Sequence, residues 1–337
     1  MEQIKYYMAP MEGVTGYVYR NAYAKYYGGI ERYFTPFVAN KKLGHREKND
    51  VCPEHNAGMA VVPQILTNRA EDFLAIAEIL REYGYDTVNL NLGCPSGTVA
   101  ARGRGAGFLA MPDELDHFLE EIFEKCPLRI SIKTRIGKEN PAEWERLLAI
   151  YEKYPLEELI VHPRVQTDFY KNRVNLEAFA RAEKNSRHSL CYNGDIVDAA
   201  SAAHIREGFP SVDKFMIGRG LIKHPWLLEE LSGGRQEKQE RKERFFRFHN
   251  AILEGYRQQM SGDKNTLFKM KELWTYWGEN FADADQRLKK SENVSGLLSM
   301  NVWWTRCFVK KSCACRKRVG YAAIDLCDIT KKRLSNL

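Results

Sequence analysis

The chain has 337 residues, of which 44% are hydrophobic and 28% charged, a balance ordinary for a soluble globular protein with room for one large domain and a smaller one. No run of about 18 apolar residues exists, which excludes a membrane-spanning helix, and Met1-Glu2-Gln3-Ile4-Lys5 lacks the basic region and apolar core of a signal peptide. The net charge of +7 is uneven: residues 235–337 hold 22 Lys and Arg against 12 Asp and Glu, while residues 1–234 come to −3.

Eight β-like segments follow one another: Tyr6–Ala9, Arg32–Thr35, Ala60–Leu66, Thr87–Gly93, Arg129–Arg135, Glu158–Arg164, Ser189–Asp195 and Lys214–Gly220. Several are nearly continuous apolar runs, as strands buried on both faces should be. Helical periodicity lies between them, clearest in Ala70–Tyr83 with Phe73, Ile76, Ala77 and Leu80 on one face, and again in Asp113–Glu124 and Glu143–Tyr154. Pro112, Pro141 and Asp198 read as helix starts. Eight strands alternating with helices over about 230 residues predict an α/β fold, a (β/α)8 TIM barrel; a doubly wound sheet is the competitor, but it would not need eight similar units. Ser232-Gly233-Gly234-Arg235-Gln236 reads as a linker, followed by helices over Glu237–Met260 and Lys264–Phe281. The expected organisation is a barrel over residues 1–234, a helical domain over 235–290 and an atypical tail over 291–337. The basic surplus of the C-terminal third suggests a polyanionic partner, since Lys and Arg gain from releasing nucleic-acid counterions.

The eight cysteines (52, 94, 126, 191, 307, 313, 315 and 327) are scattered. No spacing gives a zinc site, and reduced thiols in a cytoplasm are expected. Cys94 stands apart. In Asn89-Leu90-Asn91-Leu92-Gly93-Cys94-Pro95 an apolar alternation stops at a sharp turn, which delivers a thiol to the carboxyl end of strand 4, where barrel enzymes keep their chemistry.

The other strand ends are reactive too. Strand 1 ends near Pro10 and Met11, strand 3 at Gln64, strand 5 at Lys133 and Arg135, and strand 6 at His162 and Arg164. Strand 7 ends at Asn193-Gly194-Asp195 and strand 8 at Gly218-Arg219-Gly220. Singly, Gln64 reads as a satisfied buried amide, His162 as a core histidine and Lys133 as a salt-bridge partner. Together they fall on the one mouth where carboxyl ends of barrel strands converge. The glycines of the last two ends suit backbone contact with a phosphate, and Arg219 could add a charged bond. Gln64, Asn91 and Lys133 suit the polar edge of an isoalloxazine, where a cation stabilises the reduced anion. Gly103-Arg104-Gly105-Ala106-Gly107 lacks G-x-G-x-x-G spacing, which argues against a Rossmann nicotinamide domain.

These segments resemble the tRNA-dihydrouridine synthases. The likeness rests on Ala9–Gly16, Asn89–Ser96 with Gly105-Ala106-Gly107-Phe108-Leu109, Lys133-Thr134-Arg135, His162-Pro163-Arg164 with Tyr170-Lys171, Asn193–Ile196 and Ile217–Gly220. It runs through residues 6–231 and fades by about Lys290. The resemblance implies an FMN barrel re-reduced by NADPH or NADH, with hydride passing from flavin N5 to uracil C6 and a proton to C5 from Cys94. It implies flavin contacts at Pro10, Met11, Gln64, Lys133, His162, Asn193, Gly194, Asp195, Gly218 and Arg219. Uracil contacts are implied at Asn91, Arg135, Arg164 and Tyr170, and tRNA as partner. No metal and no membrane are expected, and a monomer is.

Two departures stand out. The family often carries a lysine soon after the cysteine; here Ser96 is followed by Gly97-Thr98-Val99, and Arg102 and Arg104 are the nearest cations. Beyond Lys290 the composition shifts to Ser, Gly, Trp and Cys. One back-translation of Lys289–Trp304 that restores a single A continues as Lys-Lys-Ile-Arg-Lys-Cys-Gln-Arg-Leu-Ala-Val-Tyr-Glu-Arg-Val-Val, a basic amphipathic helix, so a frameshifted tail is expected, with a genuine divergent terminus as the alternative. Two other readings stay open: a flavin barrel acting on a free pyrimidine or enone, and a non-catalytic RNA-binding barrel. A yellow purified protein would dismiss the latter; dihydrouridine formed on tRNA but not on free uridine would dismiss the former.

Overall fold

The computed structural model describes residues 4–234 and 237–280. Eight strands alternate with helices: β1 (Lys5–Met8), β2 (Arg32–Phe34), β3 (Val61–Val62 continued by Gln64–Ile65), β4 (Thr87–Leu92), β5 (Arg129–Arg135), β6 (Leu159–His162), β7 (Leu190–Asn193) and β8 (Lys214–Ile217). Every pairing is parallel. The hydrogen-bonded order starts with Val61–Val62 and ends with Gln64–Ile65, the two halves of β3 split at Pro63. The sheet therefore closes on itself as a (β/α)8 barrel, and an open doubly wound sheet is excluded.

Side-chain alternation divides the strands between two cores. A small cluster of Tyr7, Ala9, Phe34, Val62, Ile160, Cys191 and Met216 takes one face of its strands. The neighbours Met8, Tyr33, Ile65, Leu90, Ile132, Leu159, Val161, Tyr192, Phe215 and Ile217 belong to the larger cluster with the helices. The small cluster fills the lumen. Two residues further along the same strands stand Gln64 after Val62, His162 after Ile160, Asn193 after Cys191 and Gly218 after Met216. On these four strands the lumen passes from apolar residues to cavity-lining ones in one period-2 step, whereas β4 and β5 are already polar lower down, at Asn89 and Ser131.

The helix starts read from the sequence hold at Pro112–Lys125 and at Ala199–Gly208, where the Asp198 side chain accepts the N–H of Ser201 at 2.8 Å. Beyond the barrel, helix Lys238–Gln259 lies against the helix Tyr17–Tyr26, and helix Asp263–Trp277 lies against Lys238–Gln259 and Arg219–Lys223. Phe248 meets the rings of Tyr27 at 5.2 Å and Tyr19 at 5.5 Å, and Trp277 meets Phe245 at 5.4 Å. Aromatic contacts of this kind add to large apolar burial. Asn280 Nδ2 donates to the Lys223 carbonyl at 2.6 Å, and Lys223 pairs with Glu279 at 2.8 Å. These bonds tie the second helix to the segment that follows β8, at the barrel mouth.

Residues 237–280 carry nine Lys and Arg against seven Asp and Glu, and Arg241, Arg244 and Lys269 pair within the protein. Most of the basic surplus therefore lies past residue 280. The expectations for residues 291–337, the altered reading frame included, concern residues outside those described. Among the described residues no helix is long and apolar enough to cross a membrane, and no group of three or more His, Cys, Asp or Glu could hold a metal ion.

Candidate active site

A cavity of about 400 Å³ opens at the carboxyl end of the strands, within the range of small-ligand sites. Of the residues singled out in the sequence, Pro10, Met11, Gln64, Asn91, Cys94, Lys133, Arg135, His162, Tyr170, Asn193, Gly194, Asp195, Gly218 and Arg219 line it; Arg164 does not.

An amide ladder builds one wall. Asn89 and Asn91 share a face of β4 because they are two residues apart. Gln64 Nε2 donates to Asn89 Oδ1 at 2.7 Å, Asn91 Nδ2 donates to Gln64 Oε1 at 2.7 Å, and Asn89 Nδ2 donates to Ser131 Oγ at 2.9 Å. Asn91 Oδ1 accepts the backbone N–H groups of Gly93 at 3.0 Å and Cys94 at 2.9 Å. The same side chain thus lines the cavity and fixes the turn that carries the thiol. Gly105 and Gly107 pack beneath that turn. A Cβ on Gly107 would sit 2.3 Å from the Ala100 carbonyl oxygen, and one on Gly105 would sit 3.0 Å from Cys94 Cβ. Close backbone approach is the role of this glycine segment. Burial pushes the Cys94 thiol up from its ordinary range, against the N–H of Ser96 and the cations Arg135 and Lys133, so it is protonated at neutral pH.

Lys133 has no hydrogen bond or ion pair to the described residues and is not sealed from the cavity. Burial, with Arg135 beside it, lowers its ammonium to about 8. Arg135 donates to the carbonyls of Gly93 at 3.0 Å, Val165 at 2.8 Å and Phe169 at 2.9 Å. It bridges the cysteine turn to the loop after β6, and two of its five N–H donors remain for a ligand. Phe169, with φ of 50°, takes a left-handed conformation uncommon for a bulky residue.

Arg164, expected at the uracil, is bonded within the protein in this structure. Its guanidinium donates to Asn172 O through Nε at 2.7 Å and again through Nη2, to Asp195 Oδ1 through Nη1 at 3.0 Å and to Asp195 Oδ2 through Nη2, and it meets His162 Nε2 at 3.1 Å. All five of its donors are taken, so none is left for substrate. Asp195 also binds Arg219 at 3.0 Å. With two arginines on its carboxylate, Asp195 can offer an anion only its backbone N–H. No described acceptor takes that N–H or the N–H of Gly194. Asn193 Nδ2 donates to the Met216 carbonyl at 2.7 Å, which leaves its amide oxygen for a ligand. Gly218 faces Met11, whose Sδ would lie 3.5 Å from an added Cβ. Tyr170 is half exposed, with Arg219 over its ring at 4.3 Å and His162 stacked on it at 6.1 Å.

Glu272 and Tyr276, from the helix Asp263–Trp277, also line the cavity, and sequence reasoning missed both. Their i, i+4 spacing puts them on one helix face, but periodicity does not say which element that face meets. Asn89 was within reach: the alternation Val88-Asn89-Leu90-Asn91-Leu92 already placed both asparagines on one face of the strand.

A family model described as dihydrouridine synthase (Dus) matches residues 7–297. The chain belongs to the dihydrouridine synthase family. Among curated members, "tRNA-dihydrouridine synthase B" of Pasteurella multocida is 26% identical over 226 residues, covering 66% of this chain and 67% of its own. "Probable tRNA-dihydrouridine synthase 2" of Bacillus subtilis is 27% identical over 232 residues, covering 66% and 70%. Among solved structures, morphinone reductase aligns with a TM-score of 0.49 at 14% identity, over 70% of this chain and 87% of its own.

Proposed function

We propose that this dihydrouridine synthase reduces uridine in tRNA to 5,6-dihydrouridine, with FMN at the barrel mouth, NADPH or NADH as reductant and Cys94 as the general acid. The observation that carries the reading is that the Cys94 thiol and the Lys133 amine, which has no partner among the described residues, line one cavity. The names of the two bacterial relatives support tRNA as substrate.

The donor set fits a flavin. Lys133 has a cation without an acceptor, the Gln64 amide keeps a free hydrogen and a free lone pair, and the N–H groups of Gly194 and Asp195 are open. Pro10, Met11 and Gly218 would border the ring, and Asn193, Gly194, Asp195 and Arg219 would hold the phosphate end. When bound, FMN supplies the two-electron reducing equivalent that saturates uracil C6. The protein's own step is proton transfer. Cys94 Sγ–H gives its proton to uracil C5, and the thiolate left behind is stabilised by Arg135 and Lys133, the cations that oppose the effect of burial on this thiol. Arg135, Asn91 and Tyr170 would orient the uracil, which must leave its stack to enter the cavity. Residues 1–234 carry the chemistry, and the helices Lys238–Gln259 and Asp263–Trp277 meet the RNA beside the mouth.

The test incubates the purified protein and NADPH with unmodified tRNA and, separately, with free uridine. Dihydrouridine is expected in the tRNA alone. A colourless protein that takes up no FMN, or equal turnover of free uridine, overturns the reading.

A further inference from the structure

We infer that Arg164 is a positioning residue that fixes His162 as a neutral imidazole with Nδ1–H turned to the ligand, so that His162 acts as a permanent hydrogen-bond donor. The argument starts from what a guanidinium can do. Arginine donates and cannot accept, so the 3.1 Å contact between Arg164 Nη1 and His162 Nε2 requires Nε2 to carry the lone pair. In a neutral ring the proton is then on Nδ1.

Arg164 cannot turn away to release this constraint. Its side chain is 2% exposed, and its guanidinium is clamped by both oxygens of Asp195 and by the Asn172 carbonyl. Asp195 is held in turn by Arg219 at 3.0 Å. His162 Nδ1 has no partner among the described residues, and it is not among the buried polar atoms that lack one. Since His162 lines the cavity, Nδ1–H is its polar contact with the cavity.

Protonation does not compete. Burial first, and then the charges of Arg135, Lys133, Arg164 and Arg219, hold the His162 pKa well below the ordinary histidine range. The Tyr170 ring covers one face. His162 thus differs from Lys133, whose charge depends on pH near neutrality. It offers one N–H whether or not the solution is mildly acidic. The acceptor it suits is a carbonyl oxygen, which both a flavin and a uracil carry, or an unprotonated ring nitrogen, which of the two only the flavin carries. Only the identity of that acceptor rests on the proposed function.

The test is the histidine tautomer, read by long-range proton–nitrogen correlation on the ¹⁵N-labelled full chain from pH 6 to 8. The expected wild-type signature is a protonated Nδ1 and an unprotonated Nε2 throughout that range. Arg164→Lys, still a donor without a lone pair, should keep it. Arg164→Gln, whose amide can also accept, should let the Nε2–H tautomer appear. FMN and uridine monophosphate are then added separately. A shift of the Nδ1–H resonance with FMN assigns the acceptor to the flavin, and a shift with the nucleotide alone assigns it to the substrate. A wild-type Nε2–H tautomer, an imidazolium at pH 7, an unchanged tautomer in Arg164→Gln, or no shift with either ligand overturns the inference. Should Arg164→Gln not fold, the wild-type and Arg164→Lys spectra decide it.

Discussion

The side-chain oxygen of Asn91 accepts the backbone N–H of Cys94 at 2.9 Å while its amide nitrogen donates to Gln64 at 2.7 Å. One asparagine therefore couples the turn that carries the proposed acid to the wall proposed to face the flavin. Asn91→Ala should cost about 1–3 kcal/mol of stability, since it strands buried polar partners. Dihydrouridine formation should fall by about 10²-fold, the scale of a small misplacement of a reacting group. Urea unfolding and single-turnover assays of the same preparation measure the two effects. Unchanged turnover would separate the ladder from the position of Cys94.

Cys94→Ala should leave flavin uptake and NADPH oxidation near wild type and reduce tRNA turnover by about 10²–10⁴-fold, as expected for loss of a general acid. The thiol itself offers a second check. Burial raises it above its ordinary range, so little thiolate exists at pH 7.5. Alkylation by iodoacetamide, followed by peptide mass spectrometry, should be slower at Cys94 than for free cysteine at that pH. Faster labelling of Cys94 would mean a thiolate and would argue for a nucleophile in place of an acid.

Lys133→Met should move stability and ligand affinity in opposite directions. Unfolded, the lysine keeps its proton up to about 10.5; folded, it gives it up at about 8. Between these values the unfolded chain binds more protons, so stability rises with pH over that window, and the charged form is penalised below it. Removing the amine should stabilise the ligand-free protein at pH 7, by an amount that shrinks above pH 8. FMN affinity should drop, because the cation beside the ring is gone. In the wild type, affinity should weaken as pH rises through about 8. Thermal melts and fluorescence titrations across pH 6.5–9 read both. A variant that is less stable and binds FMN unchanged would place Lys133 outside the flavin site.

Gly107→Ala should destabilise the protein by about 1–3 kcal/mol, the usual result of forcing atoms into a packed site, because its Cβ would meet backbone atoms of Ala100 at 2.3–2.8 Å. Gly218→Ala is the contrast. Its Cβ would meet Ala9 at 3.4 Å and Met11 at 3.5 Å, ordinary contacts, so stability should hold while FMN affinity falls as the cavity narrows. Equal melting temperatures for Gly107→Ala and wild type would show that the glycine segment is not packed beneath the cysteine turn as described.

The barrel was legible because two periodicities agree in it. Apolar runs of strand length marked the eight strands, and on several of them the residue two places beyond a buried lumen position lines the cavity, as in Ile160 to His162 and Cys191 to Asn193. What was not legible involves directions that the strand period does not govern. Arg164 lies past the end of β6, where alternation stops; the resemblance implied a uracil contact there, whereas its donors are taken by Asp195, Asn172 and His162. Glu272 and Tyr276 reach the cavity from a helix more than forty residues beyond β8, and a helical pattern shows an apolar face without naming what it covers. Summed over the C-terminal third, the charge looks like one surplus, whereas nine Lys and Arg nearly balance seven Asp and Glu over residues 237–280.

That balance sets the last prediction. Residues 281–337 hold 12 Lys and Arg against 5 Asp and Glu, so most of the basic surplus is concentrated there. A chain ending at Asn280 keeps the aromatic packing of Phe248 and Trp277 and the anchor from Asn280 to Lys223, and should retain its fold and its flavin. Its tRNA affinity should fall at low salt. The slope of log affinity against log salt should also become shallower, by about 0.7–0.9 per phosphate that the shortened chain no longer neutralises. Filter binding across a range of salt concentrations, with circular dichroism and flavin content as controls for folding, measures this. An unchanged slope would assign the phosphate contacts to the barrel rim and the helices of residues 237–280, and the basic segment beyond them would then have no part in holding tRNA.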